Sequence, residues 1–255
     1  MSVEKFKKLH QMPEPLVIGN VWDVISTNKA TDAGCKAVGT SSHVIANMLG
    51  YEDGENIPFK IMLMVITRIA EKAKILVSAD LEAGYSNNYN EIVLNIESLI
   101  QAGVVGINLE DSFVKDGKRH LMPSEKAAEK IAYIKKELKL KGLDIFLNAR
   151  IDTYTTKHEN TIEETLTGIK KYEAAGADGI FVPLIEKETD IKKVVESTSL
   201  PLNIFLTPKL VNYEKLVKLG VKRISSGDKI FVKNMEYLKE NYMKLEKDKN
   251  FEFLF

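Results

Sequence analysis

Cysteine is nearly absent from this chain of 255 residues. Cys35 is the only one, which excludes an internal disulfide framework and suits a reducing compartment. Long apolar runs are missing too. The longest, around IMLMVI, fall far short of the roughly 20 residues that span a bilayer, and the opening MSVEKFKKLHQ is too charged for a signal-peptide core. Neither sign of charge is in excess: 36 Lys and Arg face 36 Asp and Glu, so no global field draws the chain to nucleic acid or to an anionic membrane. No His/Cys cluster has zinc spacing. These absences lead us to expect a cytoplasmic protein that acts on a small molecule and has no nucleic-acid or membrane partner.

What is present is an alternation. Short apolar runs read as strands: LVIGNVW (16–22), AVGTSS (37–42), ILVSADLE (75–82), GINLED (106–111), IFLNARID (145–152), GIFVPL (179–184), LNIFLT (202–207) and RISSG (223–227). Each is followed by a stretch with helical period. Gly34, Gly103, Gly176 and Gly220 stand where helices end before the next strand, a position that favours a left-handed residue. Strands apolar almost throughout belong to parallel sheets covered on both faces. The pattern predicts an α/β fold, a (β/α)8 TIM barrel, with an open doubly wound sheet as the other arrangement it allows. No low-complexity linker interrupts the chain, so residues 1–255 read as one domain, with the lysine-rich segment 228–247 as a C-terminal helical extension.

In such a barrel chemistry gathers at the C-terminal ends of the strands. Those ends are polar here, and the opposite ends carry Ile, Val, Leu and Ala. Asp80 and Glu82, two apart on one expected strand, share a face, and Glu110 ends the next. Three carboxylates at one mouth repel unless a cation or protons compensate them, and a hard ion with few protein ligands points to Mg²⁺, with Mn²⁺ as the alternative. The other reading pairs these acids with Lys or Arg at the rim. Arg150 interrupts an apolar strand, and its fork suits a substrate carboxylate, a phosphate or a developing oxyanion, or a buried salt bridge to Asp152 or Glu110. Ser41 and Ser42 suit an anionic group or simple turn chemistry. Ser225-Ser226-Gly227 stands where many barrels bind phosphate.

These segments, in order, resemble the isocitrate lyase/phosphoenolpyruvate mutase superfamily over nearly the whole chain: NVWDVISTNKATDAG, GTSSHVIANMLGYEDGE, SADLEAGYS, INLEDS, NARIDTY, AGADGIFVP and LGVKRISSG. The resemblance implies that Asp80 binds Mg²⁺ and that Glu82 and Glu110 act on the ion directly or through its waters. It implies a catalytic set of Arg150, Asp53 and Glu110, with Asp53 approaching the metal or substrate. Thr40, Ser41, Ser42 and Arg150 match the substrate-binding positions, and Trp22 is expected to shape the pocket. The shared chemistry breaks a bond to C3 of a 2-oxo acid through a metal-stabilised enolate. A homo-oligomer, tetramer or dimer, is implied as well, with the C-terminal helix packed on or swapped with a neighbour.

The chain also departs from the superfamily. The loop after the fourth strand, DSFVKDGKRHLMP, lacks the cysteine that serves the lyase branch, and the mutase's asparagine lid motif is absent. Decarboxylation of an oxaloacetate-like acid or hydrolysis of a phosphonopyruvate-like one are the open readings. A methylisocitrate-type lyase and a non-catalytic 2-oxo acid binder are the alternatives. Lys118, Arg119 and His120 are placed to close over an anionic substrate as a lid, or to form a solvated basic turn around Asp116-Gly117. A Schiff-base aldolase is disfavoured because no expected strand carries a lysine.

Overall fold

The computed structural model describes residues 2–247, 249 and 251–255. The strands are β1 (Leu16–Val21), β2 (Ala37–Thr40), β3 (Leu76–Asp80) and β4 (Gly106–Glu110), then a hairpin of β5 (Ser112–Lys115) and β6 (Lys118–Leu121), then β7 (Phe146–Arg150), β8 (Gly179–Val182), β9 (Leu202–Phe205) and β10 (Arg223–Ser225). All but the hairpin pair in parallel and close into a barrel in the order β1-β10-β9-β8-β7-β4-β3-β2. Closure removes both sheet edges and decides against the open alternative.

Helices cross over between the strands: α2 (Val24–Asp32), α3 (Ser42–Met48) with α4 (Phe59–Lys72), α5 (Tyr89–Gln101), α6 (Ser124–Leu140), α7 (Thr161–Ala174), α8 (Glu188–Glu196) and α9 (Tyr213–Lys218). Most turn apolar side chains to the sheet, whereas α2 buries only Thr27. On α5 the apolar stripe is Ile92, Val93, Ile96 and Leu99, all buried, at the spacing of one helix face. Burying each such side chain stabilises the fold by roughly 1.5–3 kcal/mol. The helix-ending glycines at 34, 103, 176 and 220 have φ between +83° and +96°, as the sequence predicts.

The N-terminal helix α1 (Val3–His10) plugs the N-terminal end of the barrel. Phe6 is fully buried there against Leu16, Ile18, Leu76, Val105 and Phe146. A Cβ on Gly106 would stand 2.6 Å from Phe6 Cε1, so the plug requires glycine at that strand position. The last helix, α10 (Lys229–Lys247), is the expected extension, and none of its residues is buried. Among the described residues no helix is long and apolar enough to cross a membrane.

The strands end one or two residues earlier than the apolar runs suggest, and this changes one inference. Glu82 is not on β3: it lies beyond the strand in a turn, at φ +50°, where Gly84 N–H donates to Leu81 O at 3.0 Å. Asp80 and Glu82 are therefore brought together by a turn and not by the pleat of one strand.

Candidate active site

A cavity of about 340 Å³ opens at the C-terminal end of the barrel. That is the size of a small-ligand site. Thr40, Ser41 and Ser42 line one wall where β2 passes into α3. Their hydroxyls are already engaged. Thr40 Oγ1 accepts from Asp80 N–H at 3.0 Å, Ser41 caps α3 at Val44 N–H, and Ser42 Oγ donates to Asp80 Oδ2 at 2.7 Å. These bonds aim Asp80. Its second oxygen, Oδ1, is buried and has no hydrogen-bond partner.

Glu82 faces the same cavity, accepting from Tyr85 O–H at 2.8 Å and from Glu55 N–H at 3.0 Å. Burial, then the charges of Asp80, Glu110 and Asp53, push its carboxyl up to about 8. Glu110 sits behind the cavity wall, 2 % exposed and sandwiched between two guanidiniums. Arg150 Nη1 is 2.9 Å from Glu110 Oε2, and Arg119 Nη1 is paired with Oε1. The ion-pair reading thus holds for Glu110, and it holds for Arg150, whose Nε also donates to Asp152 Oδ1 at 2.9 Å. Burial opposes the charge on Arg150, but Asp152 and Glu110 outweigh it and raise the guanidinium pKa above its usual range. Phe181 lies beneath it, its ring centroid 6.0 Å from Arg150 Cζ.

The hairpin places the three basic residues of the expected lid differently. Alternate residues of a strand face opposite ways, and the register sets Val114 opposite Arg119 and Phe113 opposite His120. Phe113 and His120 stack outward with ring centroids 5.6 Å apart, and Lys118 is exposed. Only Arg119 turns in. It reaches Glu110, Asp152 Oδ2 at 3.4 Å and Asp53 Oδ2 at 3.7 Å. Asp53 also lines the cavity, 3.7 Å from His43 Nδ1. Burial pushes the Asp53 carboxyl up, but His43, Arg119 and Arg150 outweigh it and hold the group below its ordinary value.

Trp22 lies outside the cavity lining. Its ring meets Phe231 of α10 edge-on at 5.1 Å, and the adjacent Asp23 forms the capping box of α2 with Ser26. The backbone amides of Ser226 and Gly227, the expected phosphate cradle, both donate to Asn20 Oδ1, at 2.9 and 2.8 Å. Phe181 and Pro183 form part of the cavity wall.

Three contributors escape a reading of strand ends. Arg223, at the start of β10, is 2 % exposed and donates to Asn108 Oδ1 at 3.3 Å beneath the cavity. Burial lowers its pKa to about 10. Lys130 on α6 is equally buried, its ammonium donating at 3.0 Å to the carbonyls of both Ala83 and Glu110, which ties the chain after β3 to the end of β4. Ser112 donates to Asp152 Oδ2 at 2.5 Å. In the sequence Lys130 is one lysine among many on a charged helix, and only its helical phase against buried Ala127, Ile131 and Ile134 marks it as inward.

Among the described residues no three His, Cys, Asp or Glu side chains form a ready cage for a metal ion. The residues still fit a hard divalent cation. Asp80 offers an unpartnered oxygen, and Asp53, Asp80 and Glu82 line the cavity with the guanidiniums of Arg119, Arg150 and Arg223, while Glu110 and Asp152 lie behind its wall, paired with Arg119 and Arg150. Few direct protein ligands and retained waters are the usual habit of Mg²⁺.

Comparison with known proteins agrees with this architecture. The family model described as phosphoenolpyruvate phosphomutase matches residues 6–245. An uncharacterised protein of Mycobacterium tuberculosis is 32% identical over 222 residues, covering 87% of this chain and 81% of its own length. The oxaloacetate decarboxylase of Pseudomonas entomophila is 28% identical over 218 residues, covering 82% and 72%. Among solved structures, a proposed phosphonomutase from Burkholderia cenocepacia is 34% identical with a TM-score of 0.89, covering 94% of this chain and 98% of that one. A 2,3-dimethylmalate lyase superposes with a TM-score of 0.86 at 20% identity, covering 97% and 88%, which is a likeness of fold. With eight parallel strands in a closed barrel, and a family match that runs from the α1 plug into α10, the chain belongs to the phosphoenolpyruvate phosphomutase family.

Proposed function

We propose that the protein is a Mg²⁺-dependent lyase that cleaves a bond to C3 of a small 2-oxo acid, with an oxaloacetate-like acid as the first choice of substrate. One observation carries the reading: Asp80, with an unpartnered carboxylate oxygen, and the locked guanidinium of Arg150 line the same cavity. Asp80 would hold the ion, with Glu82 and Glu110 acting through its waters. The ion, when bound, supplies Lewis-acid stabilisation of the enolate formed as the C3 bond breaks.

The chain's own residues supply the rest. Arg150, fixed by Glu110 and Asp152, presents positive charge toward developing enolate charge without reorganising. Arg119 of the hairpin pairs with Glu110 and Asp152 beside the cavity. Departure of CO2 needs no general acid, which agrees with a cavity that no cysteine lines. Cys35 is at the opposite end of the barrel, in the segment that leads into β2.

Carbon–phosphorus cleavage is the second reading, favoured by the 34% identity to a proposed phosphonomutase. Against it, the Ser226 and Gly227 amides that would cradle a phosphonate are spent on Asn20. Relatives that bear the name oxaloacetate decarboxylase support the first reading. The test is pyruvate release from oxaloacetate, phosphonopyruvate and methylisocitrate, each with Mg²⁺ and with EDTA. Oxaloacetate turnover above the metal-only background, lost in EDTA, is expected. Turnover of phosphonopyruvate alone would select the second reading, and silence on all three would reject both.

We further propose that the protein is a homo-oligomer, a dimer or a tetramer. Support comes from α10, which leaves Ile230, Val232, Met235, Leu238, Tyr242 and Met243 exposed along a helix with no buried residue.

A further inference from the structure

The cations around the cavity differ in how they are held. Arg150 and Arg223 are built into barrel strands β7 and β10 and cannot leave without breaking the sheet. Arg119 stands on a two-stranded hairpin that pairs with no barrel strand. Its guanidinium gathers groups from four places in the chain. These are Glu110 at the end of β4, Asp152 beyond β7, Asp53 in the segment between α3 and α4, and Ser112 of its own hairpin, whose Oγ is 2.7 Å away. The side chain keeps 16% of its surface exposed, so a path to solvent is open on one side. Val114 of the hairpin also packs on Gly54, where an added Cβ would lie 2.4 Å from Val114 Cγ2.

The acid cluster carries more negative charge than two fixed guanidiniums can answer. Arg119 supplies the missing positive charge. A divalent ion at Asp80 would supply it too, and two cations serving one set of carboxylates repel each other. We infer that Arg119 is an exchangeable counter-cation, holding Glu110, Asp152 and Asp53 in the ion-free protein, so that its ion pairs and a divalent ion oppose one another and loading the ion loosens the hairpin. This inference rests on the proposed divalent site at Asp80. Linkage makes the opposition reciprocal: what the ion takes from the Arg119 pairs, those pairs take from ion affinity. Arg119 is thus a positioning residue for the hairpin and a regulator of ion affinity.

The test is Mn²⁺ binding to the full-length protein, read by the electron paramagnetic resonance of the free ion at one ionic strength. Wild type, Arg119→Met, Arg119→Lys and Asp80→Asn are compared, each checked for folding by thermal unfolding. Arg119→Met is expected to bind Mn²⁺ about tenfold more tightly than wild type, within the usual range of coupling between sites. Arg119→Lys, which keeps the charge and loses the fork, is expected to fall between them, and it carries the comparison if the methionine variant does not fold. Hydrogen exchange of the amides of residues 112–121 in wild type should quicken when Mn²⁺ is added. Equal or weaker binding by the Arg119 variants, or greater protection of the hairpin, overturns the inference while leaving the site at Asp80 standing. No binding to wild type, or undiminished binding to Asp80→Asn, instead removes the divalent site and the inference with it.

Discussion

Glu110 and Arg150 are register partners on adjacent strands, and their side chains complete the pairing with Arg150 Nη1 2.9 Å from Glu110 Oε2. The same guanidinium holds Asp152 through Nε, so one buried fork orients two carboxylates. Arg150→Lys keeps the charge without the fork and is expected to lower kcat/KM by about 100-fold. Arg150→Met leaves two buried carboxylates with one fewer partner and should destabilise the fold by about 3 kcal/mol. Steady-state kinetics and urea unfolding of the two variants check these separately.

Asp80 is the residue whose loss should separate chemistry from folding. Asp80→Asn keeps the shape and an oxygen for the Ser42 hydroxyl, but it removes the charge that a divalent ion needs. Mg²⁺-dependent turnover is expected to vanish while the far-ultraviolet circular dichroism and the melting temperature stay close to wild type. Full activity in this variant would refute the assignment of Asp80.

The acid limb of stability is expected to depend on His10. Its ring stacks on Phe146 at 4.3 Å between centroids, its Nδ1 contacts Phe6 O at 2.8 Å, and it is 3 % exposed. Burial, then the charge of Arg223, push its pKa down to about 3 from 6.5. A depressed folded value means that the unfolded chain binds the proton more readily between those two pH values. The neutral histidine's contribution is therefore whole above pH 6.5 and is lost as pH falls toward about 3. At pH 4.5 the loss relative to neutral pH is about 2 kcal/mol. His10→Phe, which keeps the stacked ring and removes the titration, should flatten this limb in urea unfolding at pH 7.5 and 4.5.

Docking of the hairpin depends on a glycine. Gly54 has φ +91°, and a Cβ there would lie 2.4 Å from Val114 Cγ2. Gly54→Ala must strain the loop or push the hairpin outward. The expected result is a stability loss of about 1–3 kcal/mol and faster hydrogen exchange over residues 112–121. Unchanged exchange there would show that Val114 and Gly54 do not hold the hairpin.

Assembly is checked by light scattering at micromolar concentration. A dimer or tetramer is expected for the full chain, and a stop codon at Lys229, which removes α10, should shift it to smaller species. A monomeric full-length protein would sink the oligomer.

The architecture was legible because it rests on local signals. Eight apolar runs, each with a helical successor and with glycine at the helix ends, are enough to name a parallel α/β fold, and the polar ends of β2, β3, β4 and β7 mark the mouth. Thr40, Ser41, Ser42, Asp53, Asp80 and Arg150 were found in this way or by family resemblance, and all line one cavity. The sequence could not say which member of Lys118-Arg119-His120 enters the site, because that depends on hairpin register. Nor could it say that Glu82 approaches Asp80 through a turn, that Glu110 is claimed by two guanidiniums, or that Trp22 packs on Phe231. Arg223 and Lys130 were hidden for the same reason: their charges are answered by groups far away in the chain, at Asn108 for one and at Ala83 and Glu110 for the other. Period and propensity act over a few residues and determine the elements. The pairing of buried charges acts across the closed barrel, and only the tertiary structure decides it.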